Sequence, residues 1–175
     1  MRDTMQARRL TRIAVLSAGA VAAYVFESLL PMPFPFARIG LSNVFVVVAL
    51  FGFGCRQAFL VNTVRVLVGS LITGLALSPA FLLSMAGSMS ALALMALIRW
   101  KAVPPLSVIG TSAAGATASN LVQLMLFTAL FAGWPVPVGL LGGFIVLGVG
   151  VGFITGLIAA GVLRKVVLER YGAVN

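Results

Sequence analysis

Six apolar runs of helix length, set apart by prolines and basic residues, leave this chain few folds to choose from. They fall at about residues 13–30, 39–53, 57–77, 81–98, 106–131 and 138–163. Roughly 20 apolar residues in helical form cross the hydrocarbon core of a bilayer, and five of the runs approach or exceed that length. The first ends at Pro31-Met32-Pro33-Phe34-Pro35, because proline lacks a donor N–H and disfavours helix in the residue before it. Ser78-Pro79, Pro104-Pro105 and Gly133-Trp134-Pro135 punctuate the later runs. The second run is short, reaching about two-thirds of the hydrocarbon thickness. It stands nearly upright, begins within the proline-rich loop, or is partly re-entrant.

Composition excludes the soluble alternative. Hydrophobic residues make up 61% of the 175 and charged residues only 9%, against about a quarter charged in a soluble domain. Too little polar surface exists to cover a core. The expected fold is therefore an all-α integral membrane bundle of six transmembrane helices, forming a single domain over residues 1–175. The apolar stretch that follows the basic start continues through Leu30, so it reads as a retained first helix rather than a cleaved leader.

The formal charge of +9 would suggest nucleic acid in a soluble protein. Here the cations sit at helix ends, and topology accounts for them. With the N-terminus cytoplasmic, that side holds Arg2, Arg8, Arg9 and Arg12, then Arg56, Arg99, Lys101, Arg164, Lys165 and Arg170, while the opposite side holds Arg38. Six spans with both termini in the cytoplasm satisfy the positive-inside rule. A five-span chain with the second run re-entrant would put Arg99 and Lys101 outside. The expected location is the inner (cytoplasmic) membrane, as a multi-pass protein, with lipid and not nucleic acid as its surroundings. Cys55 is the single cysteine and histidine is absent, so neither an intrachain disulfide nor a metal site is expected, and no cofactor is implied.

Ionisable groups inside apolar runs are costly and mark a site or a structural pair. Glu27 lies near the end of the first run and Arg65 well inside the third. Asn62, Arg65, Gly69 and Thr73 recur at three- and four-residue steps and share one helix face. Ser112, Gly115, Ser119 and Gln123 do the same on the fifth run with Asn120 alongside, and Ser84 and Ser88 are one turn apart on the fourth. Lipid cannot satisfy these groups, so the faces should turn inward. Interhelical hydrogen bonding, or an ion pair of Arg65 with Glu27, explains them without a ligand. The alternative is a ligand site of Arg65, Asn62, Asn120 and Gln123, with Arg65 facing an anionic group and Glu27 and Arg38 at its mouth. That cavity would face outward between the first, third and fifth spans, capped by Phe34 and Phe36. Trp134 reads as an interface anchor.

Two ladders of small residues step by four: Ala14, Ala18 and Ala22 on the first run, and Gly148, Gly152 and Gly156 on the sixth. Such ladders allow close approach of helices, either within the chain or against a partner.

Arg38-Ile39-Gly40-Leu41-Ser42-Asn43, the later Arg65-Val66-Leu67-Val68-Gly69-Ser70, and Ala118-Ser119-Asn120-Leu121-Val122-Gln123 resemble one small membrane family. It is described as heptaprenyl diphosphate synthase component I or as the Gx transporter family. That family in turn resembles the substrate-binding S components of energy-coupling factor vitamin transporters. The resemblance implies six helices with both ends cytoplasmic and a ligand held toward the outer face, under the loop Pro31 to Ala37. It also implies that Ala14, Ala18 and Ala22 dock a transmembrane coupling subunit, itself joined to ATPase subunits.

The expected function is thus a membrane binding subunit for uptake of a small, vitamin- or cofactor-like molecule. The alternative is a non-catalytic membrane accessory subunit of isoprenoid or quinone biosynthesis. Catalysis of prenyl transfer itself is not expected. It needs clustered carboxylates to hold Mg²⁺ against diphosphate, and this chain has Asp3, Glu27 and Glu169, far apart. Nor is there a phosphate-cradling glycine loop with lysine, so any ATP-driven step would fall to partners.

Overall fold

A computed structural model describes residues 2–30, 40–101, 106–132 and 138–172. They form six α-helices: α1 (Arg2–Leu29), α2 (Leu41–Phe53), α3 (Cys55–Ile72), α4 (Pro79–Lys101), α5 (Val108–Phe127) and α6 (Val138–Gly172). A π-helical turn, Thr128–Ala132, extends α5. Among the described residues there is no strand.

Five of the helices are long and apolar enough to cross a membrane, with mean hydropathy between 1.2 and 2.3. Their outward faces carry large apolar side chains such as Val146, Leu71 and Phe153. A surface of this kind is stable against lipid, and the chain is a multi-pass membrane protein. Helix α2 is different. Its 13 residues extend roughly 20 Å, less than the hydrocarbon thickness. It is the core of the molecule: Val46, Val47, Ala49 and Leu50 are each at most 1% exposed.

Helix boundaries depart from the expected spans where local chemistry dictates. The basic start is continuous with the first span in α1. Helix α3 stops at Ile72, short of the expected 77, because Gly74 (φ 70°) and Leu77 (φ 62°) turn the chain back. Leu75 N–H closes that turn onto the Ser70 carbonyl at 2.9 Å. Between α2 and α3 a single residue, Gly54, makes the reversal with φ 101°, a conformation open to glycine and strained for other residues. Ser107 caps α5, its hydroxyl accepting from Gly110 N–H at 3.1 Å.

The six helices pack as two triplets. In the first, α1, α2 and α3 all touch one another; in the second, α4 packs on α5 and α5 on α6, the most extensive pairing in the molecule. The triplets meet where α2 lies on α6 and α3 on α4. The glycine ladder of α6 explains the tight second triplet. A Cβ added at Gly148, Gly152 or Gly156 would fall 2.6, 2.4 or 2.7 Å from the Cα of Thr117, Ala113 or Ile109. The backbones of α5 and α6 therefore touch, and Ser112 and Thr155 join them further through hydroxyls 2.9 Å apart. The alanine ladder of α1 is exposed instead.

Arg99, assigned to topology by the sequence, also has a packing role. Its guanidinium donates to the Leu50 carbonyl and lies 5.2 Å from the Phe51 ring centroid. A cation thus meets the carbonyl end of α2, where the helix dipole favours one.

Candidate functional site

A cavity of about 40 Å³ lies between the two triplets. Tyr24, Glu27, Gly40, Ser42, Asn43 and Arg65 line it from α1, α2, α3 and the approach to α2. Ser84 and Ser88 of α4 and Ser119 and Gln123 of α5 line it from the other side. Among the described residues, the first wall carries a carboxylate and a guanidinium and the second is neutral.

Glycines make room for this arrangement. A Cβ at Gly69 would stand 2.4 Å from the Tyr24 ring, and one at Gly87 would stand 2.5 Å from Gln123 Nε2. Tyr24 can therefore lie across α3, and Gln123 across α4. Gly40 opens α2 with φ 79°, and its carbonyl accepts from Asn43 N–H at 2.9 Å. That turn sets Ser42 and Asn43 on the cavity side.

Arg65, 4% exposed, is held by neutral oxygens. Its Nη1 donates to Ser42 Oγ at 2.9 Å and to Asn43 Oδ1 at 2.6 Å, and its Nη2 to Asn62 Oδ1 at 2.8 Å. Glu27, 2% exposed, accepts from the hydroxyl and the backbone N–H of Ser42 at 3.0 and 3.3 Å. Ser42 is thus the relay between the charges: its oxygen accepts from the cation while its hydrogen goes to the carboxylate. Asn62 carries the network into the second triplet by donating to Ser88 Oγ at 3.2 Å. Gln123 Nε2 donates to Ser119 Oγ at 2.8 Å.

The structure brings Glu27, Arg65 and Gln123 to one cavity, with Asn62 directly behind, orienting the guanidinium. Asn120 goes elsewhere: its Nδ2 donates to the Phe144 carbonyl of α6 at 3.3 Å, and it is not among the residues lining the cavity. The reason is angular. One residue beyond Ser119 is a rotation of about 100° on a helix, which carries Asn120 off the cavity face and onto α6. The walls also differ from the expected first, third and fifth spans, because α2 and α4 contribute as well. Arg38, Phe34, Phe36 and Trp134 lie outside the described residues.

Sequence reasoning passed over Tyr24, Ser42 and Asn43 as site residues. Tyr24 was findable, since it precedes Glu27 by three positions and shares its face. For Ser42 the run itself gave no signal, because a serine near the start of a short apolar helix looks like a terminus.

No group of three or more metal-ligating side chains occurs among the described residues. The described residues offer one cation, one anion and several hydrogen-bonding groups in a largely buried setting, where each interaction is stronger than in bulk water.

Fold and site together define a multi-pass helical membrane protein with a charged, hydrogen-bonded centre between two helix triplets. The chain belongs to the heptaprenyl diphosphate synthase component I family, whose model matches residues 16–162. No curated protein and no solved structure matches it.

Proposed function

We propose that this chain is a non-catalytic membrane subunit of heptaprenyl diphosphate synthesis, working beside a separate catalytic subunit and binding a small polar molecule at its centre. The family match over residues 16–162 is the observation that carries the reading, since the family is described as one component of a synthase. The sequence supports the non-catalytic part: three acidic residues in the whole chain fall short of the carboxylate clusters that hold Mg²⁺ against diphosphate. The cavity supports the binding part. Buried charges that serve packing alone are commonly replaceable by apolar residues at no loss of stability. Both termini are cytoplasmic in this reading, the membrane is the inner (cytoplasmic) one, and the cavity lies toward the outer half of the bilayer. The test is affinity capture of the full chain from gently solubilised membranes. Recovery of a prenyl diphosphate synthase in fixed ratio is the expected result, and capture in which no prenyl synthase is enriched overturns the reading.

A second reading, the substrate-binding subunit of an uptake transporter driven by partner ATPase subunits, is favoured by a different observation. Ala14, Ala18 and Ala22 are exposed and line an open apolar groove between α1 and α3, with Val64, Val68 and Ile72 opposite. At the same groove Ser17 is 7% exposed, and its hydroxyl has no hydrogen-bond partner among the described residues. A small-residue face with an unanswered hydroxyl suits a further transmembrane helix. The same capture separates the two readings, since here ATPase subunits and a membrane coupling subunit would be recovered in place of a synthase.

A further inference from the structure

We infer that the end of the bundle where α1 begins and α6 finishes is a docking surface for the acidic face of a water-soluble protein. The inference rests on the accessory-subunit reading, and adds which face of this chain meets the partner and by what chemistry.

The surface is built around the last turn of α2. Arg12 of α1 lies 5.7 Å from the Phe53 ring centroid, and Arg99 of α4 lies over the Phe51 ring. A Cβ added at Gly52 would stand 3.5 Å from Leu163 of α6. Helices α1, α4 and α6 thus all meet the end of α2, and Arg56 sits beside it at the start of α3. The middle of the surface is uncharged: Phe51 and Phe53 are half-buried, and Gly52 and Cys55 are exposed. Around it stand Arg12, Arg56, Arg99, Lys101, Arg164 and Lys165, all exposed. An apolar floor within a polar rim is the general plan of a protein interface.

The sign of the rim holds for the whole chain, not for the described residues alone. Every lysine and arginine except Arg38 and Arg65 belongs to the segments at this end, against Asp3 and Glu169 as acids. The connection 102–105, Ala-Val-Pro-Pro, adds no charge. Membrane orientation accounts for cations on one side, but not for the direction they take. Lipid headgroups ring the perimeter of a bundle, whereas Arg12 and Arg99 lean inward over the rings of α2, the core helix. A partner arriving along the bundle axis meets them. Helix also continues past the membrane here: the apolar spans begin at Leu10 and end at Lys165, while α1 starts at Arg2 and α6 runs to Gly172. A field of one sign steers a partner of the other sign and fixes its register.

Cys55, the single cysteine of the chain, is exposed in the middle of this surface and takes the probe. The full chain is labelled there with a photoactivatable benzophenone and placed in nanodiscs of phosphatidylcholine or of phosphatidylglycerol. It is then irradiated with the soluble extract of its own cells. The expected result, in both lipids, is a covalent adduct with one soluble protein of net negative charge, identified by mass spectrometry. Raising the ionic strength from about 0.05 to about 0.5 M before irradiation should lower the yield about fivefold or more. Arg56→Glu combined with Lys165→Glu should lower it as far. Arg56→Lys combined with Lys165→Arg keeps both charges and should leave it unchanged. Adducts with phospholipid alone, no protein adduct, or a protein adduct indifferent to salt or to the charge reversal overturns the inference. If the charge-reversed chain does not insert, the salt series on the unaltered chain decides. Failure here is distinguishable from failure of the proposed function. An acidic adduct that is not a prenyl synthase removes only the accessory role, whereas a synthase recovered by affinity capture but never crosslinked at Cys55 removes only the docking surface.

Discussion

The two small-residue ladders are the same pattern in sequence and opposite features in structure. Gly148, Gly152 and Gly156 are buried, and the backbone of α5 occupies the space their side chains would need. Ala14, Ala18 and Ala22 step by the same interval but stand exposed on α1, lining a groove. What differs is the neighbourhood. Helix α6 is apolar all round, so its glycine face is where a helix can come closest, and α5 offers Ile109, Ala113 and Thr117 at matching four-residue steps. Helix α1 spends its inward face on Ala20, Tyr24 and Glu27, all buried, and the alanines fall away from it, on the groove that Ser17 also lines. A ladder of small residues thus records that something approaches closely. Whether that neighbour is intramolecular depends on which other residues of the same helix claim the interior.

The largest expected effect tests the closed ladder. Gly152→Leu would place a branched side chain where a Cβ alone meets Ala113 Cα at 2.4 Å and the Ser112 carbonyl oxygen at 2.7 Å. Backbone on both sides cannot swing away as a side chain can, so α5 and α6 must separate. Overpacking ordinarily costs about 1–3 kcal/mol, and here at least the upper end is expected. The readout is loss of the monodisperse peak in size-exclusion chromatography, or a fall in unfolding temperature larger than for any other variant named below. A melting curve matching the parent chain would show that the glycine contact is dispensable.

Gly148→Ala is the milder version. Its added methyl meets Thr117 Cα at 2.6 Å, and a small shift of α6 relieves part of the clash. A loss of about 1–2 kcal/mol is expected, seen as a lower midpoint in thermal unfolding with the folded species retained. A change as large as that of Gly152→Leu would mean that the seam tolerates no adjustment at all.

Much of this was legible in the sequence, and the boundary of what was legible is physical. Apolar runs, prolines and basic clusters located all six helices, because crossing a bilayer imposes length and polarity directly on the residues. Inward orientation of Asn62, Arg65 and Gly69 followed from their spacing for the same reason. The partners of those residues did not follow. Which oxygen meets a guanidinium depends on how α2 and α3 are joined at Gly54, and no periodicity encodes that. Asn120 shows the limit within one helix: adjacent to Ser119 in sequence, it bonds to α6 while Ser119 faces the cavity. Polarity marked both residues as inward, and only packing said toward which neighbour. The ladders repeat the point, since their spacing was plain and their destinations were not.

Gly143→Ala supplies the control on the same helix. It lies outside the ladder, and a Cβ there meets nothing within 4 Å. Alanine is the better helix former by up to about 1 kcal/mol, so a neutral or slightly raised unfolding temperature is expected. If Gly143→Ala destabilised the chain as Gly148→Ala does, glycine content itself, rather than the contact with α5, would be what holds α6 in place.

The smallest effect on stability, and the one that decides the meaning of the open ladder, belongs to Ala18→Leu. Residue 18 is exposed beside the groove, so the larger side chain meets lipid and not protein. Substitutions away from packed features change stability by about 0.5 kcal/mol or less, and the melting curve should overlay that of the parent. Association is where the change should register. A leucine in the middle of the alanine face holds an incoming helix away from α1 and hides Ser17, so any transmembrane partner seated on that face is lost on capture. A partner held at the ends of the molecule, such as a soluble synthase, is retained. Overlaid melting curves with loss of a membrane partner would establish the alanines as an intermolecular counterpart of the glycine seam. If partner recovery is unaltered, close helix approach is confined to α6 and the face of α1 is simply lipid-facing.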